Sequence, residues 1–147
     1  HAQPFSPLLR SALRMYFWNR MNTKPIGMIE ITEADSSTDQ SMFSAPTIGR
    51  GNDDLGGVLT RNFLRMLKDG EPRPATLIFM NGGVRLTTEG TPVAEELAAL
   101  EALGVELLSC GTCLNFYGLT DKLAVGGVTN MYTIVEKLAS AGKVIKP

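Results

Sequence analysis

From residue 41 onward the chain alternates two kinds of hydrophobic pattern. Thr76-Leu77-Ile78-Phe79-Met80 is a continuous apolar run of strand length, and Val105-Glu106-Leu107-Leu108 is a second, stopping at Ser109. Unbroken runs of this length suit parallel strands buried on both faces. Met42-Phe43-Ser44-Ala45 is a shorter candidate strand. Between these runs the apolar positions recur at helical spacing. Leu55, Val58, Leu59, Phe63, Met66 and Leu67 predict the buried face of one helix. Asn52 or Asp53 can cap its first turn, Gly70 ends it, and Pro72 and Pro74 prevent it from resuming. Val93, Leu97, Leu100 and Leu103 predict a second helix, capped by Thr91 with Pro92 at its first position and stopped by Gly104. Met131, Ile134, Val135 and Leu138 predict the inner face of a last helix, opened by Thr129 or Asn130 and ended by Gly142. Leu119 to Gly127 reads as a compact connection. Lys143-Val144-Ile145-Lys146 reads as a short edge strand with charges at its ends. Val84 to Glu89 fits neither period.

Strands alternating with helices predict an α/β fold: a three-layer, flavodoxin-like domain over residues 41–147, with a mostly parallel sheet of about five strands. Residues 1–40 read differently. Leu8 to Phe17 could form a helix with a basic face, serving either as a docking surface or as a terminal appendage. Ile26 to Ile31 is a candidate strand. Thr32 to Gln40 is polar, acidic and serine-rich, and reads as a linker. The segment is expected to be an extension that the sheet does not need in order to fold.

Composition narrows the classes. The 147 residues carry a net charge of −1, with 44% hydrophobic and 20% charged positions. Such a balance gives no reason to expect nucleic acid or an anionic membrane as a partner. The apolar runs fall well short of the roughly 20 residues of a membrane span. Arg10, Arg14 and Arg20 interrupt the apolar stretch from Leu8 to Met21, and no small-residue cleavage site closes it, so no signal peptide is expected. The two cysteines cannot staple a secreted scaffold. They fit reactive thiols in a reducing, cytoplasmic setting.

The chemistry concentrates at Cys110-Gly111-Thr112-Cys113, directly after Ser109 closes the second apolar run. A strand end is where open α/β sheets place reactive groups. Cys110 is expected at that end, with Cys113 about one helical turn behind it. A thiolate at the start of a helix faces the positive end of the helix dipole, so Cys110 is expected to be the more exposed and more acidic thiol. Sulfur carriage, dithiol–disulfide exchange or half of a metal site would each suit the pair, as would two inert buried cysteines. A metal fits least, because one C-x-x-C supplies two ligands and the only histidine is His1. No cofactor is expected. Gly49-Arg50-Gly51 could be an anion-binding loop or a tight turn with a cap, and Asp53 and Asp54 would repel a phosphate there. Asn81-Gly82-Gly83 is a turn that could wall a pocket. Gly111 and Thr112 lie within the cysteine motif. Asn130 and Tyr132 could approach the cysteines, or simply cap and pack the last helix.

Four segments carry a resemblance: T-I-G-R-G-N-D-D-L-G (47–56), N-G-G-V-R-L-T-T-E-G (81–90), L-S-C-G-T-C-L-N-F-Y-G-L (108–119) and V-G-G-V-T-N-M-Y (125–132). In them the chain resembles the DsrE/DsrF-like superfamily, and most of all the DsrE-like domain of YedF-type, sulfurtransferase-like proteins of selenium metabolism. The resemblance implies a flavodoxin-like fold, a homo-oligomer, and a cysteine that carries sulfane sulfur as a persulfide between donor and acceptor proteins. In the family's sulfur carriers that cysteine stands eight residues before a glycine, as Cys110 stands before Gly118. Cys113 matches members with the longer C-G-x-C form and would be a resolving thiol. YedF-like chains also carry a TusA-like module with a Cys-Pro-x-Pro motif, which residues 1–40 do not contain. The resemblance therefore makes a TusA-like protein a candidate partner. A dithiol oxidoreductase and a non-catalytic subunit of a relay complex are the alternatives.

Overall fold

The structure, a computed structural model, describes residues 38–147. Eleven short elements alternate along this stretch. Strand β1 (Gln40–Phe43) leads to helix α1 (Asp53–Asp69), strand β2 (Thr76–Phe79) and a 3-10 turn (Asn81–Thr87). Helix α2 (Ala94–Ala102), strand β3 (Glu106–Cys110) and the short helix α3 (Gly111–Phe116) follow. A second 3-10 turn (Thr120–Lys122), strand β4 (Gly127–Thr129), helix α4 (Met131–Ser140) and strand β5 (Val144–Ile145) complete the order. The five strands are all parallel, in the order β4-β3-β2-β1-β5. The α/β fold expected from the alternation is therefore present, with helices on both faces of the sheet. Right-handed crossovers running one way from β1 to β3 put α1 and α2 on one face, and the return from β4 to β5 puts α4 on the other.

The core sits mainly under α1 and α2. Phe43 stacks on Phe79 at 5.5 Å between ring centroids and meets Phe63 of α1 edge-on at 5.9 Å. Leu77, Ile78 and Phe79 are fully buried, as an unbroken apolar run in a central parallel strand requires. Leu64, Leu97 and Leu100 close this layer from the helices. The opposite face is covered more thinly. Ile134 is buried there, while Met42 and Leu108 are only partly covered.

Several expectations need correction. Asp39 and Gln40 do not belong to a linker: both are buried, and Gln40 opens β1, donating its N–H to Lys143 O at 2.8 Å. The predicted buried stripe of α1 is only partly internal. Gly56, Thr60 and Leu64 face inward, whereas Leu55, Val58, Leu59 and Met66 are exposed. The reason is the loop after β1, which lies across α1 at close range. The Thr60 hydroxyl accepts from Ile48 N–H at 3.1 Å, and a Cβ on Gly56 would come within 2.8 Å of the Thr47 Cβ. Only small residues fit beneath it. Likewise Leu103, Met131 and Val135 are exposed rather than inward-facing. The α2 helix starts two residues later than Pro92 suggests, without a side-chain cap. Gly127, read as the end of a connection, and Thr129, read as a possible helix cap, instead belong with Val128 to edge strand β4. Asn52 and Asn130 do cap α1 and α4, accepting from Leu55 N–H at 2.9 Å and Thr133 N–H at 3.0 Å. The candidate helix at 8–17 and the candidate strand at 26–31 lie outside the described residues. Among the described residues no helix is long and apolar enough to cross a membrane.

Candidate functional site

Because all strands are parallel, their carboxyl ends share one edge of the sheet, and the chemistry gathers there. Register pairs Phe79 with Ser109 and Cys110 with Thr129, so Cys110 is the last residue of β3, flanked by the ends of β2 and β4. Cys113 follows one turn into α3. The position of Gly111 is tight: a Cβ there would stand 3.0 Å from Val128 Cγ1 and 3.3 Å from Thr129 O. The 3-10 turn after β2 is tied to the same place from below. Thr87 Oγ1 lies 2.7 Å from Ser109 Oγ and donates to Val84 O at 2.8 Å, so the Ser109 hydroxyl donates to Thr87. Both side chains are buried, and the pair is mutually satisfied.

Exposure of the two thiols is the reverse of the expectation. Cys110 is 1% exposed, while Cys113 is half-buried and faces the surface. The physical reason is the strand end itself. Cys110 lies between two neighbouring strands and beneath α3, and α3 carries Cys113 outward. With only 6 residues, α3 also has little dipole to offer a thiolate at its start. Both thiols are free. Asn81 N–H donates to Cys113 Sγ at 3.1 Å, and the Cys110 thiol is a near neighbour of that sulfur. Burial pushes the Cys113 thiol above its ordinary pKa. The Asn81 amide pulls it down, and the neighbouring Cys110 adds to the rise.

Asn81 is the one described non-glycine residue with a positive φ, at 47°. Asparagine tolerates this left-handed conformation better than most side chains. The conformation aims the amide at sulfur, and the Asn81 side chain accepts a hydrogen bond from Tyr117 OH at 2.7 Å. The Arg85 guanidinium sits 4.6 Å from the centre of the Tyr117 ring. Beyond Arg85 opens a surface cavity of about 420 Å³, lined in part by Pro46, Thr88, Glu89, Leu119 and Lys122.

Of the residues singled out by sequence, Cys110, Cys113, Gly111 and Asn81 come together. Gly82 adjoins them and packs on Pro46. Thr112 is exposed on α3. Asn130 follows β4 at the same edge and is used as the α4 cap. Gly49, Arg50 and Gly51 form an exposed loop tip, and among the described residues they make no hydrogen bond to the pair. Tyr117, Arg85, Thr87 and Ser109 were missed. Tyr117 lies 36 residues from Asn81, a separation at which no local pattern operates. Among the described residues no group of three or more His, Cys, Asp or Glu side chains could hold a metal.

A family model described as DsrE/DsrF-like matches residues 58–147, more than half of the chain and all of the site beyond β1 and its loop. The chain belongs to the DsrE/DsrF-like family. That family is associated broadly with sulfur relay. No curated protein matches the chain in sequence. Solved structures with the same fold include the YchN protein of E. coli, at a TM-score of 0.53 and 16% identity, covering 74% of this chain and 98% of that one. A protein of unknown function from Methanobacterium thermoautotrophicum gives 0.56 at 18% identity, covering 74% and 97%. Another from Bacteroides thetaiotaomicron gives 0.53 at 14% identity, covering 79% and 100%. At these identities the likeness is one of fold.

Proposed function

We propose that this DsrE/DsrF-like chain is a sulfur-relay protein that takes up sulfane sulfur through Cys113 and stores it as a persulfide on Cys110. The observation behind this reading is the layered pair: Cys113 half-buried on α3, and Cys110 buried beneath it as its neighbour. A Cys113 thiolate attacks the terminal sulfur of a donor persulfide, R-S-SH, giving Cys113-S-SH and releasing R-S⁻. The Cys110 thiolate then attacks that same terminal sulfur, giving Cys110-S-SH and returning the Cys113 thiolate. The stored sulfur is shielded from water until an acceptor thiolate takes it by the reverse route. The spacing of Cys110 to Gly118 supports Cys110 as the store, and burial supports Cys113 as the first contact.

Donor and acceptor are proposed to be thiol proteins, a TusA-like protein among them, with a selenium-handling acceptor as the extension suggested by the YedF-type likeness. Free thiols of this kind work in a reducing, cytoplasmic compartment. A homo-oligomer is part of the proposal. The outer face of α1 exposes Leu55, Val58, Leu59 and Met66, the last at 61%, and Phe116 of α3 is 82% exposed. Large apolar side chains exposed along one helix face are what an interface between copies would cover.

A second reading has one observation in its favour. Both thiols are free and neighbour one another across a single helical turn, the arrangement a dithiol oxidoreductase would use. The test is loading of single variants by a low-molecular-weight persulfide. Cys113→Ser is expected to cut the loading rate at least roughly tenfold, while Cys110→Ser still loads but loses its sulfur faster to water and added thiol. Loading of Cys113→Ser at the wild-type rate would refute Cys113 as the point of uptake. A wild-type chain that only loses about 2 Da, as a disulfide forms, would favour the oxidoreductase.

A further inference from the structure

We propose that Tyr117 is a positioning residue: through Asn81 it holds a backbone N–H on the Cys113 sulfur and so sets how readily that sulfur reacts. The proposal deepens the reading of Cys113 as the point of uptake and rests on it for its biological meaning, although its test needs no sulfur donor.

The geometry forms a chain of three contacts. Arg85 lies over the Tyr117 ring at 4.6 Å, Tyr117 OH donates to Asn81 Oδ1 at 2.7 Å, and Asn81 N–H donates to Cys113 Sγ at 3.1 Å. Asn81 needs such a hold. Its φ of 47° is uncommon for any residue with a Cβ, and such conformations persist where the surroundings over-determine them. From the backbone side, Met80 N–H donates to Phe43 O at 2.9 Å and Gly83 N–H to Met80 O at 2.8 Å. From the side-chain side, the single restraint given by the described residues is the Tyr117 hydroxyl. Tyr117 stands at the end of α3, the helix that carries Cys113, and its own N–H donates to Cys113 O at 3.1 Å. The hydroxyl therefore fixes the turn carrying Asn81 to the very helix carrying the sulfur. Loss of that tie leaves the amide free to swing off the sulfur without unpacking the core.

An amide N–H on sulfur stabilises the thiolate more than the thiol, because hydrogen bonds to a charged acceptor are the stronger ones. The neighbouring titratable group acting on Cys113 is Cys110, which opposes ionisation. The Asn81 amide is the contact that favours it. Removing the amide should slow Cys113 at neutral pH and shift its reactivity toward alkaline pH.

The test is the rate of iodoacetamide labelling at Cys113, resolved from Cys110 by fragment mass, measured against pH. Tyr117→Phe keeps the ring beneath Arg85 and removes only the hydroxyl. It is expected to slow labelling near pH 7 by roughly three- to tenfold, to move the pH profile to higher pH, and to leave the rate at the alkaline plateau unchanged. Asn81→Gly keeps both the amide and the left-handed backbone while removing Oδ1, and is expected to match it. The double variant should be no slower than either single variant, because both break the same bond. Thermal unfolding of each variant, within a few degrees of wild type, separates this from a general loosening. An unchanged pH profile in Tyr117→Phe, or additive effects in the double variant, would overturn the proposal. Either outcome can occur whether or not the chain carries sulfur, so its failure is distinct from failure of the relay reading.

Discussion

Gly83→Ala should be among the most damaging small substitutions in the protein, and its cost can be worked from the structure. Gly83 lies in the 3-10 turn directly above the end of β1. A Cβ built there would stand 2.2 Å from Phe43 O and 2.8 Å from Phe43 C. Both are backbone atoms of a buried strand, so no flexible side chain can give way. Relief to an ordinary contact requires a shift of about 1 Å between the turn and β1, in a region where packing is close to that of a crystal. Phe43 is buried and stacked on Phe79, which leaves the turn as the part that moves. That motion stretches the bond from Met80 N–H to Phe43 O and carries Asn81 away from Cys113. Overpacking of this kind costs about 1–3 kcal/mol, and the weakened hydrogen bond adds about 1 kcal/mol. A total of about 2–4 kcal/mol is a large share of the stability of a typical domain. It corresponds to a fall of about 6–13 °C in Tm for a chain of this size. Urea denaturation, with Gly57→Ala as the control, is the assay. A Cβ on Gly57 meets nothing within 4 Å, so that substitution should be neutral or stabilising by up to about 1 kcal/mol. If Gly83→Ala unfolds within about 0.5 kcal/mol of wild type, the close approach of turn and strand is wrong, and with it the placement of Asn81.

Three further outcomes are expected. Thr87→Val leaves the buried Ser109 hydroxyl without its partner and should lower stability by about 1–3 kcal/mol in urea, although no exposed surface changes. The Cys113 thiol is raised above its ordinary pKa, chiefly by burial, so the folded state favours the protonated form. The stability this contributes is present below the ordinary cysteine pKa and is lost as pH rises through the raised one, which a comparison of wild type and Cys113→Ser in urea at rising alkaline pH should reveal as a steeper decline in wild type. If the proposed homo-oligomer forms through the exposed face of α1, the wild-type chain should sediment as more than a monomer at micromolar concentration and Leu59→Glu as a monomer; a monomeric wild type or an unchanged variant would refute that interface.

The central strands were the most legible part of the sequence because a parallel strand covered on both faces admits few polar positions. Thr76–Phe79 and Glu106–Cys110 show this directly. The caps at Asn52 and Asn130 were legible for a local reason: the side chain bonds three residues ahead. Strand β4 was not, since Gly127–Thr129 is three residues long, begins with glycine and is only half-buried. Helix α1 shows a deeper limit. Its large apolar residues define a face by periodicity, yet the face that packs is the one with Gly56 and Thr60, because the loop after β1 approaches too closely for anything larger. A stripe of Leu, Val and Met then points outward, and periodicity cannot tell an inner stripe from an outer one. The cysteine pair was visible as a motif, but its order of exposure was not. That order depends on β4 and α3 covering Cys110, and on residue 81 meeting residues 113 and 117, which are distant in sequence.

The most direct test of the relay is the mass of the chain after exposure to a low-molecular-weight persulfide, followed by alkylation and fragmentation across residues 108–119. The account predicts a gain of about 32 Da, one sulfur atom, placed on Cys110, with Cys113 present as a free thiol. A chain that gains no sulfur, or that holds it on Cys113 alone after equilibration, would contradict the proposed store beneath the surface thiol.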